Sequence, residues 1–127
     1  MTELPNLTIG VDDGIVIASL TGEIDLSNAT EITDALLGGV PNEALGLVID
    51  LSNVSYLDSA GVRMLAELDH RLGWRAQALR VVAPEASRSR RVLEIAGLER
   101  VLSLETSVDA ARTSIEGSDQ EPELTVE

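Results

Sequence analysis

Two stretches of this 127-residue chain, LGLVIDL at 45–51 and LRVVA at 79–83, are nearly unbroken in apolar residues. Successive side chains of a strand point to opposite sides of a sheet, so an unbroken apolar strand has to be covered on both faces. Between the two lies a segment from about Ala60 to Leu72, in which Val62, Leu65, Leu68 and Leu72 recur at helical spacing on one face. A strand, a helix and a second buried strand in this order pair in parallel through a crossover. The centre of the chain is therefore committed to a sheet with helices packed on it.

The flanking segments extend that sheet. LTIGVDDGIVIASL alternates apolar residues at Leu7, Ile9 and Val11, turns at Asp13-Gly14 and resumes from Ile15 to Leu20, which reads as a β-hairpin. In GEIDLSNATEITDALLGG, Ser27 or Asn28 can cap a helix carrying Ala29, Ile32 and Leu36 on one face, stopped by Gly38-Gly39 and Pro41. Pro84 and Ser87 open a third helix with Val92, Leu93 and Ala96, and Gly97 ends it. A short strand at Val101 to Leu104 precedes a last helix from Ser107 to about Glu116, with Val108, Ala111 and Ile115 aligned. The order is ββαβαβαβα: an α/β fold, with a mixed, mostly parallel sheet covered by about four helices. Residues 1–116 form the expected domain, and the acidic, aperiodic GSDQEPELTVE at 117–127 is expected to be a disordered tail.

Composition narrows the function. The formal charge is −13, from 22 acidic and 9 basic residues, and aromatics make up 2% of the chain. Binding nucleic acid requires cations to displace phosphate counterions, and gains from stacking platforms. Neither is present, so a direct nucleic-acid contact is not expected. No cysteine is available for disulfides or thiolate metal sites, and no apolar run approaches a membrane span of about 20 residues. The N-terminus, MTELPNLTIG, is acidic where a signal peptide would be basic. A cytoplasmic protein, monomeric and without membrane insertion, is the expectation. The acidity suits a protein partner with a neutral or basic face.

The stretch VIDLSNVSYLDSAGVRML, 48–65, runs from the central strand through a polar turn into the amphipathic helix, with Asp58-Ser59-Ala60-Gly61 at the junction. Asp58 or Ser59 can cap the helix through a side-chain oxygen. As a nucleophile Ser59 would need a nearby base, yet the only histidine, His70, stands eleven residues along the same helix. At 1.5 Å per residue that is roughly 16 Å, and no G-x-S-x-G elbow surrounds the serine. As a site of phosphorylation Ser59 fits better. A serine at a helix start is exposed, its phosphate can be received by backbone N–H groups, and about −1.5 to −2 charges are added without refolding.

Metal binding is not expected: Asp12, Asp13, Asp25, Asp50 and Asp58 are scattered, and Asp13 is accounted for as a turn residue. There is no Walker-type loop, and no cofactor is indicated. The basic cluster SRSRR at 87–91 reads as a solvated helix face, with a contact to acidic groups on a partner as the alternative.

Three segments together, LTGEIDLSNATEITDAL (20–36), LVIDLSNVSYLDSAGVRML (47–65) and RVVAPEASRSRRVLEIAGLERVL (80–102), resemble the successive signatures of the STAS domain. More narrowly they are similar to bacterial anti-sigma factor antagonists, over about residues 6 to 116. The resemblance implies a regulator that is not itself an enzyme. It implies that the unphosphorylated protein binds an anti-sigma factor with serine kinase activity and so frees a sigma factor. It also implies that the kinase phosphorylates Ser59, beside Asp58, to release the complex, and that a serine phosphatase resets the switch. Asp25, Ser27 and Asn28, in the GEID loop, are implied as parts of the docking surface with Asp58 and Ser59. Arg63 stands where the family often has a small residue; an arginine there can pair with a phosphate on Ser59 or with a partner's carboxylate. A STAS scaffold subunit on a membrane transporter ATPase, with no phosphate switch, is the alternative reading. Trp74, in GWRAQA, matches no role in the family.

Overall fold

The hairpin forms where the Asp13-Gly14 pair marks it. Strand β1 (Leu7–Asp12) and strand β2 (Ile15–Ile24) pair antiparallel, from Asp12 opposite Ile15 to Leu7 opposite Leu20. The two turn residues take φ +52° and +80°, the left-handed pair that a two-residue hairpin loop requires. This computed structural model describes residues 4–120. Helix α1 (Ala29–Gly38), strand β3 (Gly46–Leu57), helix α2 (Ser59–Trp74), strand β4 (Ala78–Val82), helix α3 (Arg88–Ile95), a 3₁₀ turn (Leu98–Arg100), strand β5 (Leu104–Glu105) and helix α4 (Val108–Gln120) follow. The sheet order is β1-β2-β3-β4-β5, parallel throughout except for the hairpin.

The two-faced burial of β3 explains its apolar run. Leu47, Ile49 and Leu51 face the main core, built with Ile32 and Leu36 of α1, Leu65, Leu68 and Leu72 of α2, and Leu93 of α3. Val48 faces the other way, into a smaller cluster that Ala111 and Ile115 of α4 close over Ile15 and Val82. Three helices thus cover one face and α4 covers part of the other. Arg112 fastens α4 to the hairpin turn, 2.8 Å from Asp12 and 3.6 Å from Asp13.

Several boundaries depart from the sequence reading. The polar SNVSY segment is a continuation of β3, because β2 also runs on to Ile24 and pairs with it as far as Leu57. Between Ser19 and Thr21 β2 advances two residues while β3 advances three, and a second extra β3 residue follows Val54. These bulges rotate Val54 and Leu57 into the core while Ser52, Asn53, Ser55 and Tyr56 face solvent. The last strand begins at Leu104, since Leu98–Arg100 wind into the 3₁₀ turn and leave Val101 exposed. Ala96 is exposed at the end of α3, before Gly97 at φ +79°.

Helix α4 runs through 117–120, which the sequence reading placed in the tail, and 121–127 lie outside the described residues. Arg90, within the supposedly solvated SRSRR face, turns inward and donates to the carbonyls of Ala83 (2.8 Å) and Glu105 (3.3 Å), while Arg88 and Arg91 are exposed. Trp74 ends α2 on the surface, its Nε1–H donating to His70 Nε2 at 3.0 Å.

Gly61 sets how closely α2 meets the strands. A Cβ there would collide with the buried side chain of Leu57 and come within 3.3 Å of the Ile24 carbonyl. Gly61→Val is expected to lower stability by about 1–3 kcal/mol through overpacking, read as a lower urea midpoint at an unchanged m-value.

Candidate functional site

All six residues singled out in the sequence lie at one end of the sheet, on the loop leaving β2 and at the start of α2. Asp58 joins the two segments. Its Oδ1 accepts from the Ala60 and Gly61 amides at 2.8 and 3.1 Å, capping α2. Its Oδ2 accepts from the Leu26 amide at 3.3 Å, and its own N–H donates to the Ile24 carbonyl at 3.2 Å. One residue therefore terminates β3, starts α2 and holds the loop between β2 and α1.

That loop has an internal lock. Asp25 Oδ1 accepts from the Ser27 amide at 3.0 Å and from the Ser27 hydroxyl at 2.6 Å. Asn28 Oδ1 accepts from the Asp25 amide at 3.0 Å, while Asn28 Nδ2 donates to the Glu23 carbonyl at 2.9 Å. Asn28 Oδ1 thus makes one half of a capping box, while the Asp25 carboxylate turns to Ser27 and the Asn28 amide donates to the Asp25 backbone carbonyl at 3.1 Å. The sequence expectation that Ser27 or Asn28 caps α1 is corrected: Asn28 occupies the position before the helix but makes no side-chain cap bond. The first amide of α1, Ala29, donates instead to the Asp25 carbonyl at 2.9 Å. Local spacing named the right residues and the wrong donors, because Asn28 is drawn back toward β2.

Ser59 is the first residue of α2, exposed, and its hydroxyl has no hydrogen-bond partner among the described residues. The cap is Asp58 alone. Of the first-turn amides that could receive a phosphate, Asp58 already holds those of Ala60 and Gly61. Arg63 lies one turn further along α2, exposed and without an ion pair among the described residues. His70 belongs to the far end of the same helix, beside Trp74, so no imidazole base reaches Ser59.

Two apolar side chains, not singled out from sequence, are exposed on these segments: Leu26, 77% exposed in the loop, and Tyr56, 49% exposed near the end of β3. The available signal was a leucine inside the polar run IDLSN. A shallow groove of about 430 Å³ adjoins the loop, lined among others by Asn6, Gly22, Glu23, Asp25, Asn28 and Glu31. Its three carboxylates suit a basic or hydrogen-bond-donating group. Among the described residues no cluster of three or more His, Asp or Glu is placed to hold a metal ion, and no helix is long and apolar enough to cross a membrane. Taken together, these features make an acidic, partly apolar surface with a free hydroxyl on a helix start whose geometry does not depend on it.

The doubled role of Asp58 predicts its mutational cost. Asp58→Ala should lower stability by about 1–2 kcal/mol, the range for losing a helix cap, and Asp58→Asn by less, since its amide oxygen still caps α2 while its Nδ2 cannot accept from Leu26; urea denaturation of both variants measures the difference.

Comparison with known proteins agrees with the fold. The STAS domain model matches residues 6–111. The chain is 32% identical over 112 residues to the anti-sigma-F factor antagonist RsfB of Mycobacterium tuberculosis, covering 87% of this chain and 89% of that protein. It is 30% identical over 105 residues to a protein of Bordetella bronchiseptica named as anti-sigma factor antagonist BtrV, covering 83% and 90%. The crystal structure of an anti-sigma factor antagonist from Mycobacterium paratuberculosis superposes with a TM-score of 0.78 at 30% identity, over 91% of this chain and 99% of that one. The chain belongs to the STAS domain family, among its bacterial anti-sigma factor antagonists.

Proposed function

We propose that this protein binds an anti-sigma factor that is also a serine kinase, through the surface formed by Asp25, Ser27, Asn28, Asp58, Ser59 and Arg63, and so frees a sigma factor. Phosphorylation of Ser59 ends the complex, and a serine phosphatase restores it. The kinase would transfer the γ-phosphoryl group of ATP to Ser59 Oγ. The bond to ADP breaks as the O–P bond forms, and the hydroxyl proton passes to a base of the kinase.

The observation that carries this reading is the division of labour between two adjacent residues. Asp58 caps α2 and secures the loop, and Ser59 does neither. A hydroxyl that supports nothing can gain a dianion without loss of fold. The new charge then acts where a docked partner would have to desolvate it beside the Asp58 carboxylate, and uncompensated desolvation of charge costs several kcal/mol. Leu26 and Tyr56 supply the apolar contact area that a docking surface needs at its centre. The relatives' names supply the partner class.

Ser59→Asp is expected to melt within a few degrees of the unaltered protein and to lose the anti-sigma partner in a pull-down from the native host's extract. Ser59→Ala should retain the partner but take up no phosphate from it with ATP. A Ser59→Asp protein that still retains its partner, or one that has unfolded by circular dichroism, contradicts the switch. Retention of one transporter ATPase by every variant would support the scaffold reading instead.

A further inference from the structure

We infer that Arg63 is the internal counter-ion of phosphorylated Ser59, withdrawing its guanidinium from the partner-facing surface at the moment the phosphate appears. This deepens the proposed switch and rests on phosphorylation at that residue.

The helix end has lost much of its usual capacity to receive the phosphate. Anions at helix starts are held by free amides of the first turn, but the Ala60 and Gly61 amides are bound to Asp58 Oδ1. Displacing that carboxylate would also release the Leu26 amide from Oδ2 and so unfasten the loop. The phosphate is left next to a carboxylate that stays in place. Compensation has to come from a side chain.

Arg63 is the side chain in position. It follows Ser59 by four residues on an uninterrupted helix, the spacing at which side chains stack on one face. The sequence holds no lysine, and no arginine precedes Arg63, so the docking loop has no cation of its own. On the other side, the helix neighbour able to compete for Arg63 is Glu67, and Arg71 engages it at 3.2 Å. Other arginines are committed: Arg112 to Asp12, Arg90 to two backbone carbonyls, and Arg75 to the Val40 carbonyl at 2.6 Å. Arg63 is exposed and has no partner among the described residues. A planar guanidinium offers paired N–H donors to a phosphate, and bonds between ionised groups are about twice as strong as neutral ones.

The switch then changes two features together. Unphosphorylated, the surface presents a neutral hydroxyl and a free guanidinium that suits a partner carboxylate. Phosphorylated, it presents a dianion with that guanidinium folded onto it.

The test reads the phosphate itself and needs neither kinase nor partner. Phosphoserine is installed at position 59 of the full chain by genetic encoding, and its second ionisation, near pH 6 in free phosphoserine, is followed by phosphorus NMR. A cation paired with the dianion favours it, so Arg63→Ala should titrate about half a pH unit higher than the otherwise unaltered phosphoprotein. Arg63→Lys should fall between the two, and Arg100→Ala should leave the value unchanged. The Arg63→Ala difference should shrink in 1 M salt, as exposed pairs do. Equal titration of Arg63→Ala and its parent, or an equal rise in Arg100→Ala, overturns the assignment. Because the phosphate is supplied independently, failure of the kinase reading would appear as an unmodified Ser59 in the cognate reaction, not as a change in this titration.

Discussion

The Asp58 carboxylate is where two distant parts of the chain are made into one surface. Its two oxygens serve different backbones, the first turn of α2 and the loop leaving β2. Each bond alone is a modest term, about 1 kcal/mol for a cap. Their combination fixes a relative position that neither segment fixes for itself. The approach depends in turn on Gly61, whose missing side chain lets α2 begin against Leu57 and Ile24. The bulges of β3 matter for the same reason, since they deliver Leu57 inward and Asp58 at the level of Ile24.

Such an arrangement suits the proposed switch, in which binding changes and shape does not. The helix start is over-determined by Asp58, so the neighbouring serine is released from structural duty. Charge added there stays local: the core, made of aliphatic side chains from α1, α2 and α3 against the sheet, contains none of the groups involved. The surface on the loop side is acidic, through Glu23, Asp25 and Glu31 beside the groove. Arg63, exposed and without an ion pair among the described residues, stands on the same helix as the serine. The surface presents a small number of charges together with two exposed apolar side chains, Leu26 and Tyr56.

Much of the fold was legible because local physics and tertiary context agree. Near-continuous apolar runs at 45–51 and 79–83 became strands covered by helices, with β3 buried on both faces, and the Asp13-Gly14 pair became the hairpin turn. The misreadings share one cause. SNVSY looks like a turn because its side chains are polar, yet it is a strand, since its backbone finds a partner in the extended β2. Arg90 looks solvated because it sits among other arginines, yet its hydrogen bonds go to carbonyls seven and fifteen residues away. In each case the deciding group is remote in sequence.

The candidate site divides along the same line. By itself the amino-acid sequence determined that Asp58 and Ser59 open a helix and that Arg63 lies one turn along it, because cap chemistry and the 3.6-residue period act within a few residues. Only the tertiary structure decided that Asp58 and not Ser59 is the cap, that its second oxygen reaches Leu26 thirty-two residues back, and that Asp25 and Asn28 lock the adjoining loop. Those outcomes depend on the register of β2 against β3, and strand register is set by burial across the whole sheet, which no local window contains.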